Sequence, residues 1–165
     1  MVDAQLIHDS AELLELCRRA NLKIATAESC TGGLIISCLT EIAGSSDVVE
    51  RGFVTYSNEA KMEMLGVPRM LITLHGAVSE QVARAMAEGA LARSLADLTI
   101  SVTGIAGPGG GTKDKPTGLV HFASAGRGRP TIAHHEVFPG DRAAVRDATV
   151  QTAFTILRHA VQGKS

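Results

Sequence analysis

The sequence predicts an α/β protein: a single layered α/β/α domain over residues 1–165, built on a mixed β-sheet that includes a C-terminal antiparallel hairpin. Three observations carry this reading. Short β-rich runs at residues 23–27, 51–56 and 98–102 alternate with stretches of helical periodicity, as parallel strands and crossover helices do. Two further β-rich runs, 118–125 and 131–138, are joined only by residues 126–130, a connection that suits a hairpin and is too short for a crossover. The length of 165 residues, 45% apolar and 20% charged, suits one domain with its own core, and no repeat or linker composition divides it.

Residues 3–20 read as an amphipathic packing helix, with Ile7, Ala11 and Leu14 at helical spacing beside Leu6 and Leu13, and Arg18 and Arg19 in the last turn, where they suit the helix dipole. The strand at 23–27 runs into the turn Glu28-Ser29-Cys30-Thr31-Gly32-Gly33 and then into a helix over about residues 32–42. Residues 43–46 have loop composition, and the strand at 51–56 ends in Ser57-Asn58, good N-caps for a short helix at 59–65 that stops at Gly66 before Pro68. His75-Gly76-Ala77-Val78-Ser79 reads as a turn, with Ser79 capping a helix over about residues 80–95 whose row Val82, Met86, Ala90 permits close packing. After the strand at 98–102, Thr103-Gly104 opens a long Gly/Pro loop to Thr117, in the position functional loops occupy. The last helix is capped by Asp141 and presents Val145, Thr149, Thr152 and Ile156.

Composition limits the function classes. A net charge of −1 without a Lys/Arg run argues against a dedicated nucleic-acid binder. Neither a signal-peptide pattern nor a membrane-length apolar stretch is present, so no membrane partner is expected. Cys17, Cys30 and Cys38, an odd set without framework spacing, suit a reducing, cytoplasmic setting. With no Trp and Tyr56 as the single Tyr, the core falls to Ala, Val, Leu and Ile. Small apolar helices leave room for packing against a second subunit in a homo-oligomer.

The turn after the first strand is the centre of interest. A side chain there lies at a strand's carboxyl end and a helix's amino end, where open α/β sheets bind ligands. Ser29 is then a candidate nucleophile beside helix N–H donors, although Ser29 or Thr31 acting only as a helix cap explains the turn as well. If the first three strands are parallel, Ser29, Tyr56 with Lys61, and Thr103-Gly104 meet at one sheet edge, which suggests a serine nucleophile with a Lys/Tyr base. A Ser-His-Asp triad has little support. The loop at residues 107–111 lacks a P-loop ending and the dinucleotide fingerprint, and His134-His135 would point to opposite faces of a strand, so neither nucleotide-triphosphate chemistry nor a metal site is expected. Arg142 and Arg146, one helical turn apart, suit either a phosphate or a solvated face.

Together, Ala27-Glu28-Ser29-Cys30-Thr31-Gly32-Gly33, the run from Gly52 through Tyr56 to Lys61, His75-Gly76-Ala77-Val78-Ser79, Thr103-Gly104-Ile105-Ala106-Gly107-Pro108 and Phe138-Pro139-Gly140-Asp141-Arg142 resemble the CinA C-terminal-domain family, whose enzymes are nicotinamide-nucleotide amidases. The length suits the stand-alone form. The resemblance implies hydrolysis of the carboxamide of nicotinamide mononucleotide to nicotinate mononucleotide and ammonia, in pyridine-nucleotide recycling. It puts the nucleophile on Ser29, the catalytic lysine on Lys61 and an assisting tyrosine on Tyr56. Cys30, Thr31, Gly32, Thr103, Gly104 and Arg142 are the candidate substrate contacts.

The chemistry fits those residue types. Splitting amide hydrolysis into acylation and deacylation helps a poor electrophile, and either Lys61 or Tyr56 can take the serine proton if it is partly deprotonated near neutral pH. N–H groups around residues 29–31 would hold the oxyanion, and no metal or organic cofactor is required. Cys30 is the rival nucleophile, since a thiol at a helix N-terminus can ionise more easily. The alternatives are a non-catalytic nucleotide-binding regulatory module and an amidase for a different small amide.

Overall fold

The computed structural model describes residues 2–163. Its elements run α1 (Ala4–Arg19), β1 (Ile24–Glu28), α2 (Leu34–Thr40), a 3-10 turn (Ser45–Asp47), β2 (Val49–Val54), α3 (Asn58–Leu65), α4 (Arg69–His75), α5 (Glu80–Ala92), β3 (Leu98–Gly104), β4 (Leu119–Gly126), β5 (Arg129–Val137) and α6 (Arg142–Val161). The five strands form one mixed sheet ordered β2-β1-β3-β4-β5. β1 pairs in parallel with both β2 and β3, and β3-β4 and β4-β5 are antiparallel, so the sheet is mixed and ends in the expected hairpin. The chain leaves β1 for one side of the sheet and returns on the other, which makes the carboxyl end of β1 the crevice where such sheets bind ligands.

Strand alternation sorts the core into two faces. Ile24, with Leu98, Ile100 and Val102 of β3, packs under α1, α2 and α6, whereas Ala27 packs with Leu65, Val67, Val82 and Met86 beneath α3 and α5. On the α5 side β3 carries hydroxyls instead of large apolar groups: Thr99 donates to the Ala87 carbonyl, Ser101 to Ala83 and Thr103 to Ala77. These short side chains, with Ala83 and Ala87 against Ala123 and Ala125, bring α5 close to the sheet.

Several sequence expectations hold. Ser57, Ser79 and Asp141 each cap a helix through a side-chain oxygen, and Asp3, which the sequence reading placed inside α1, does the same. Others are corrected. The buried face of α1 is Leu6, Ser10, Leu13, Leu14 and Cys17, while Ala11 is exposed. β2 is displaced toward the N-terminus and ends at Val54, so Tyr56 lies two residues beyond the strand and is free to leave the sheet plane. The hairpin turn is only Arg127-Gly128, between β4 and β5. α6 buries Val145, Thr149, Val150, Ala153, Phe154 and Leu157, while Thr152 and Ile156 sit at the margin. α4 was not anticipated, and none of its residues is buried. Lys115 donates to the His75 carbonyl and ties the Gly/Pro loop to the end of that helix.

Candidate active site

Alternation along β1 aims two successive side chains in opposite directions. Thr26 and Glu28 point toward α2, and the next residue, Ser29, points toward α3, which carries Lys61. Lys61 Nζ lies 2.9 Å from Ser29 Oγ. Ser29 is 8% exposed and Lys61 2%. The ammonium also faces the carbonyls of Thr55 at 3.1 Å and Ser57 at 3.5 Å. No carboxylate pairs with it among the described residues. Burial without a counter-ion lowers the Lys61 pKa from its usual range. That is the shift a general base on a lysine requires. When the amine is neutral, its two N–H bonds can serve the two carbonyls and its lone pair then faces Ser29.

Ser29 and Lys61 form the floor of a cavity of about 260 Å³ that is also lined by Cys30, Tyr56, Asn58, Ala77, Val78, Thr103, Gly104, Ala106 and Arg142. Three distant loops therefore do meet at one edge of the sheet. Tyr56 lies on the outer wall, 63% exposed. Its phenol oxygen accepts a 2.9 Å hydrogen bond from Arg142 Nη2, while Arg142 Nη1 donates to the Gly107 carbonyl at 3.0 Å. The phenol makes no hydrogen bond to Ser29 or Lys61 in this structure. Gly104 has no room for a side chain, because an added Cβ would come within 2.8 Å of the Leu119 carbonyl oxygen.

The turn itself differs from the expectation of a helix N-terminus open to an anion. Neither Ser29 nor Thr31 caps α2. The carboxylate of Glu28, fully buried, does so: Oε1 accepts from the Ile35 N–H at 2.8 Å and from the Thr31 hydroxyl at 2.7 Å, and Oε2 accepts from the Ile36 N–H at 3.0 Å and the Thr26 hydroxyl at 3.2 Å. The donors of the first turn of α2 are thus consumed inside the protein. The Cys30 and Thr31 N–H groups, by contrast, have no protein acceptor among the described residues. Gly32 and Gly33 follow at φ +58° and +98°, a left-handed pair that only glycine adopts without strain and that lets the chain turn into α2.

The remaining sequence candidates divide. Cys30 and Thr103 line the cavity, although the Thr103 hydroxyl is already engaged with Ala77. Thr31 and Gly32 do not line it, and the Thr31 side chain is spent on Glu28. Burial pushes the Cys30 thiol up to about 12, so the lowered value expected at a helix N-terminus is not realised. Arg146 is not a solvated residue but donates to the Thr31 carbonyl at 2.8 Å, bracing the turn from α6. His134 and His135 do face opposite sides, one against Phe122 and the other against His121, and no cluster able to hold a metal occurs among the described residues. No helix among them is long and apolar enough to cross a membrane. Sequence reasoning missed Glu28, Asn58, Ala77, Val78 and Ala106. For Glu28 a signal existed, since its place one residue before Ser29 in a strand already set it on the opposite face.

Comparison with known proteins places the chain in a family. The family model of the CinA C-terminal domain matches residues 8–161. A putative competence-damage inducible protein of Caldicellulosiruptor bescii is 49% identical over 157 residues, 95% of this chain but 38% of that protein, so the chain spans little more than a third of that relative. The nicotinamide-nucleotide amidohydrolase PncC of Escherichia coli K12 is 46% identical over 163 residues, covering 98% of this chain and 99% of that enzyme. The crystal structure of the competence/damage inducible protein CihA from Agrobacterium tumefaciens superposes with a TM-score of 0.94 at 47% identity, over 98% of both chains. Matching in sequence over nearly its whole length and in the path of its sheet, the chain belongs to the CinA C-terminal domain family.

Proposed function

We propose that this chain hydrolyses the carboxamide of nicotinamide mononucleotide to nicotinate mononucleotide and ammonia. The observation that carries the reading is the buried Lys61 amine 2.9 Å from the Ser29 hydroxyl at the floor of an open cavity. The likeness to Escherichia coli PncC, a nicotinamide-nucleotide amidohydrolase, over nearly its full length supports the substrate.

In this reading Ser29 Oγ attacks the carboxamide carbon while neutral Lys61 takes its proton. The Cys30 N–H, at the cavity wall, receives the oxyanion. Collapse breaks the C–N bond, the proton held by Lys61 passes to the nitrogen, and ammonia leaves an ester on Ser29. Water then attacks the ester, giving its proton to Lys61, and collapse returns that proton to Ser29 and frees the carboxylic acid. Tyr56 assists from the outer wall, where its O–H can reach an amide nitrogen once substrate fills the cavity. Arg142, with Asn58 beside it, meets the polar part of the nucleotide; the guanidinium is suited to a phosphate or ribose oxygen. Lys61, with its lowered pKa, favours this assignment as the immediate base over Tyr56. The reaction serves pyridine-nucleotide recycling in the cytosol.

Purified protein incubated with nicotinamide mononucleotide should release ammonia and nicotinate mononucleotide in equal amounts, and should leave plain nicotinamide almost untouched. Turnover of other small amides with none of the nucleotide, or turnover that survives Ser29→Ala, would overturn the reading.

A further inference from the structure

The reaction described above gives no task to the most enclosed carboxylate near the site. Glu28 is fully buried, has no basic partner among the described residues, and accepts four hydrogen bonds that come from three segments: Thr26 in β1, Thr31 in the turn, and Ile35 and Ile36 at the start of α2. Its backbone reaches a fourth. The Glu28 carbonyl accepts from the Thr55 N–H at 2.8 Å, and the Thr55 carbonyl in turn faces Lys61 Nζ at 3.1 Å. Glu28 is therefore one covalent bond from Ser29 on one side and one residue from the Lys61 anchor on the other.

We infer that Glu28 is a positioning residue for the reaction: by gathering the donors of the turn and of α2 onto one buried carboxylate, it fixes the Ser29 hydroxyl against Lys61 and holds Cys30 at the cavity wall. The inference rests on the hydrolase reading of the site. Its physical basis is the count of donors. The turn at residues 29–33 contains two glycines in left-handed conformations and has little rigidity of its own. Outside β1 pairing it is held by the Ser29 N–H to the Val102 carbonyl, by the Gly32 N–H on the Ser29 carbonyl, by the Leu34 N–H and Arg146 on the Thr31 carbonyl, by Lys61 on the Ser29 hydroxyl, and by the Thr31 hydroxyl on Glu28. Of these, Glu28 is the side chain that joins the turn to both α2 and β1. A carboxylate accepts at both oxygens, so all four donors are satisfied at once. The same arrangement occupies the first-turn donors of α2, and leaves a substrate anion no place at that helix end. Anionic parts of the nucleotide must then bind at the outer wall.

The test compares Glu28→Gln, Thr31→Val and Thr31→Ser with the unaltered protein. Glutamine has the same size but presents one NH₂ to these donors, and the amide cannot satisfy both the Ile35 and Ile36 N–H groups. Two readouts are used: steady-state hydrolysis of nicotinamide mononucleotide, and the rate at which an alkyl fluorophosphonate acylates Ser29, which does not depend on that substrate. Glu28→Gln should lower kcat and the acylation rate by about 10- to 100-fold, the range expected from small misplacement of a nucleophile. KM should stay within about 3-fold and the acidic limb of the pH–rate profile should keep its midpoint, because Lys61 is not itself altered. Thr31→Val should show the same signature at smaller size, and Thr31→Ser, which keeps the hydroxyl, should recover most of the rate lost in Thr31→Val. Acylation of Ser29 at the unaltered rate in Glu28→Gln, or a loss carried by KM alone, would overturn the inference. Should Glu28→Gln not fold, equal acylation rates in Thr31→Val and Thr31→Ser would overturn it instead. Absence of nucleotide hydrolysis by the unaltered protein would count against the hydrolase reading alone, since the acylation rates still report whether Glu28 positions Ser29.

Discussion

The cavity has two unlike halves. The inner half, Ser29 and Lys61, is 8% and 2% exposed and its polar atoms are bonded to backbone carbonyls and to each other. The outer half, Tyr56 and Arg142, is exposed, and its one side-chain pair spans from the chain after β2 to the start of α6. A buried amine cannot wait for substrate to set its protonation, because desolvation fixes it beforehand. An exposed phenol and guanidinium can exchange their mutual hydrogen bond for bonds to a ligand at little cost in water. The difference suggests a division of labour in which bond making is preorganised on the floor and recognition is adaptable on the wall.

The largest effects should come from the floor. Ser29→Ala is expected to lower kcat by at least about 10³-fold with the fold intact, as read by ammonia release and circular dichroism. Lys61→Met should cost about 10²- to 10⁴-fold in kcat, the usual range for losing a general base. It should also stabilise the protein, with a definite pH dependence. The folded pKa of Lys61 is lowered, so between that value and the unfolded value of about 10.4 the unfolded chain binds more protons. The cost to folding is fully present at low pH and disappears as pH rises toward the unfolded value. The advantage in Tm of Lys61→Met should therefore be greatest in acid and shrink in alkali; an advantage that grows with pH would contradict a buried, uncompensated amine. For the same reason kcat of the unaltered enzyme should fall as pH drops through the lowered Lys61 value.

A smaller effect is expected on the wall. Arg142→Ala removes a charge-assisted contact worth roughly 1.5–3 kcal/mol, which should appear as a rise of about 10- to 100-fold in KM with a lesser change in kcat. If Arg142→Ala depressed kcat alone, the two halves would not be separable in this way. The smallest effect belongs to Cys30→Ala. The thiol, raised to about 12, is not a competent nucleophile near neutral pH, so turnover should change by less than about 3-fold while stability falls by about 1 kcal/mol. Loss of turnover on that substitution, with Ser29→Ala still active, would transfer the chemistry to sulfur.

Much of this was legible in the chain. The caps at Ser57, Ser79 and Asp141 act over three residues, so local preference alone identifies them. α4 was missed because its apolar residues Met70, Leu71, Ile72 and Leu74 leave no clear polar face; Leu71 and Ile72 pack half-buried against the cluster of Leu65, Val67, Val82 and Met86, while Met70 and Leu74 stay exposed. The buried stripe of α1 was set one residue off because Ser10, polar in composition, turns inward by donating to the Leu6 carbonyl. Thr31 was assigned to substrate because the sequence shows a free hydroxyl, and nothing local reveals that Glu28 takes it.

By itself the sequence determined the alternation of strands and helices around a mixed sheet, the C-terminal antiparallel hairpin, and the candidates Ser29, Tyr56 and Lys61, because period, turn chemistry and connection length are local properties. Only the tertiary structure decided which groups are dry and which are wet. That partition lowers the Lys61 pKa, raises that of the Cys30 thiol, closes the amino end of α2 with Glu28 and leaves Tyr56 with Arg142 in solvent. Desolvation depends on everything packed around a group, and so no short stretch of chain contains it.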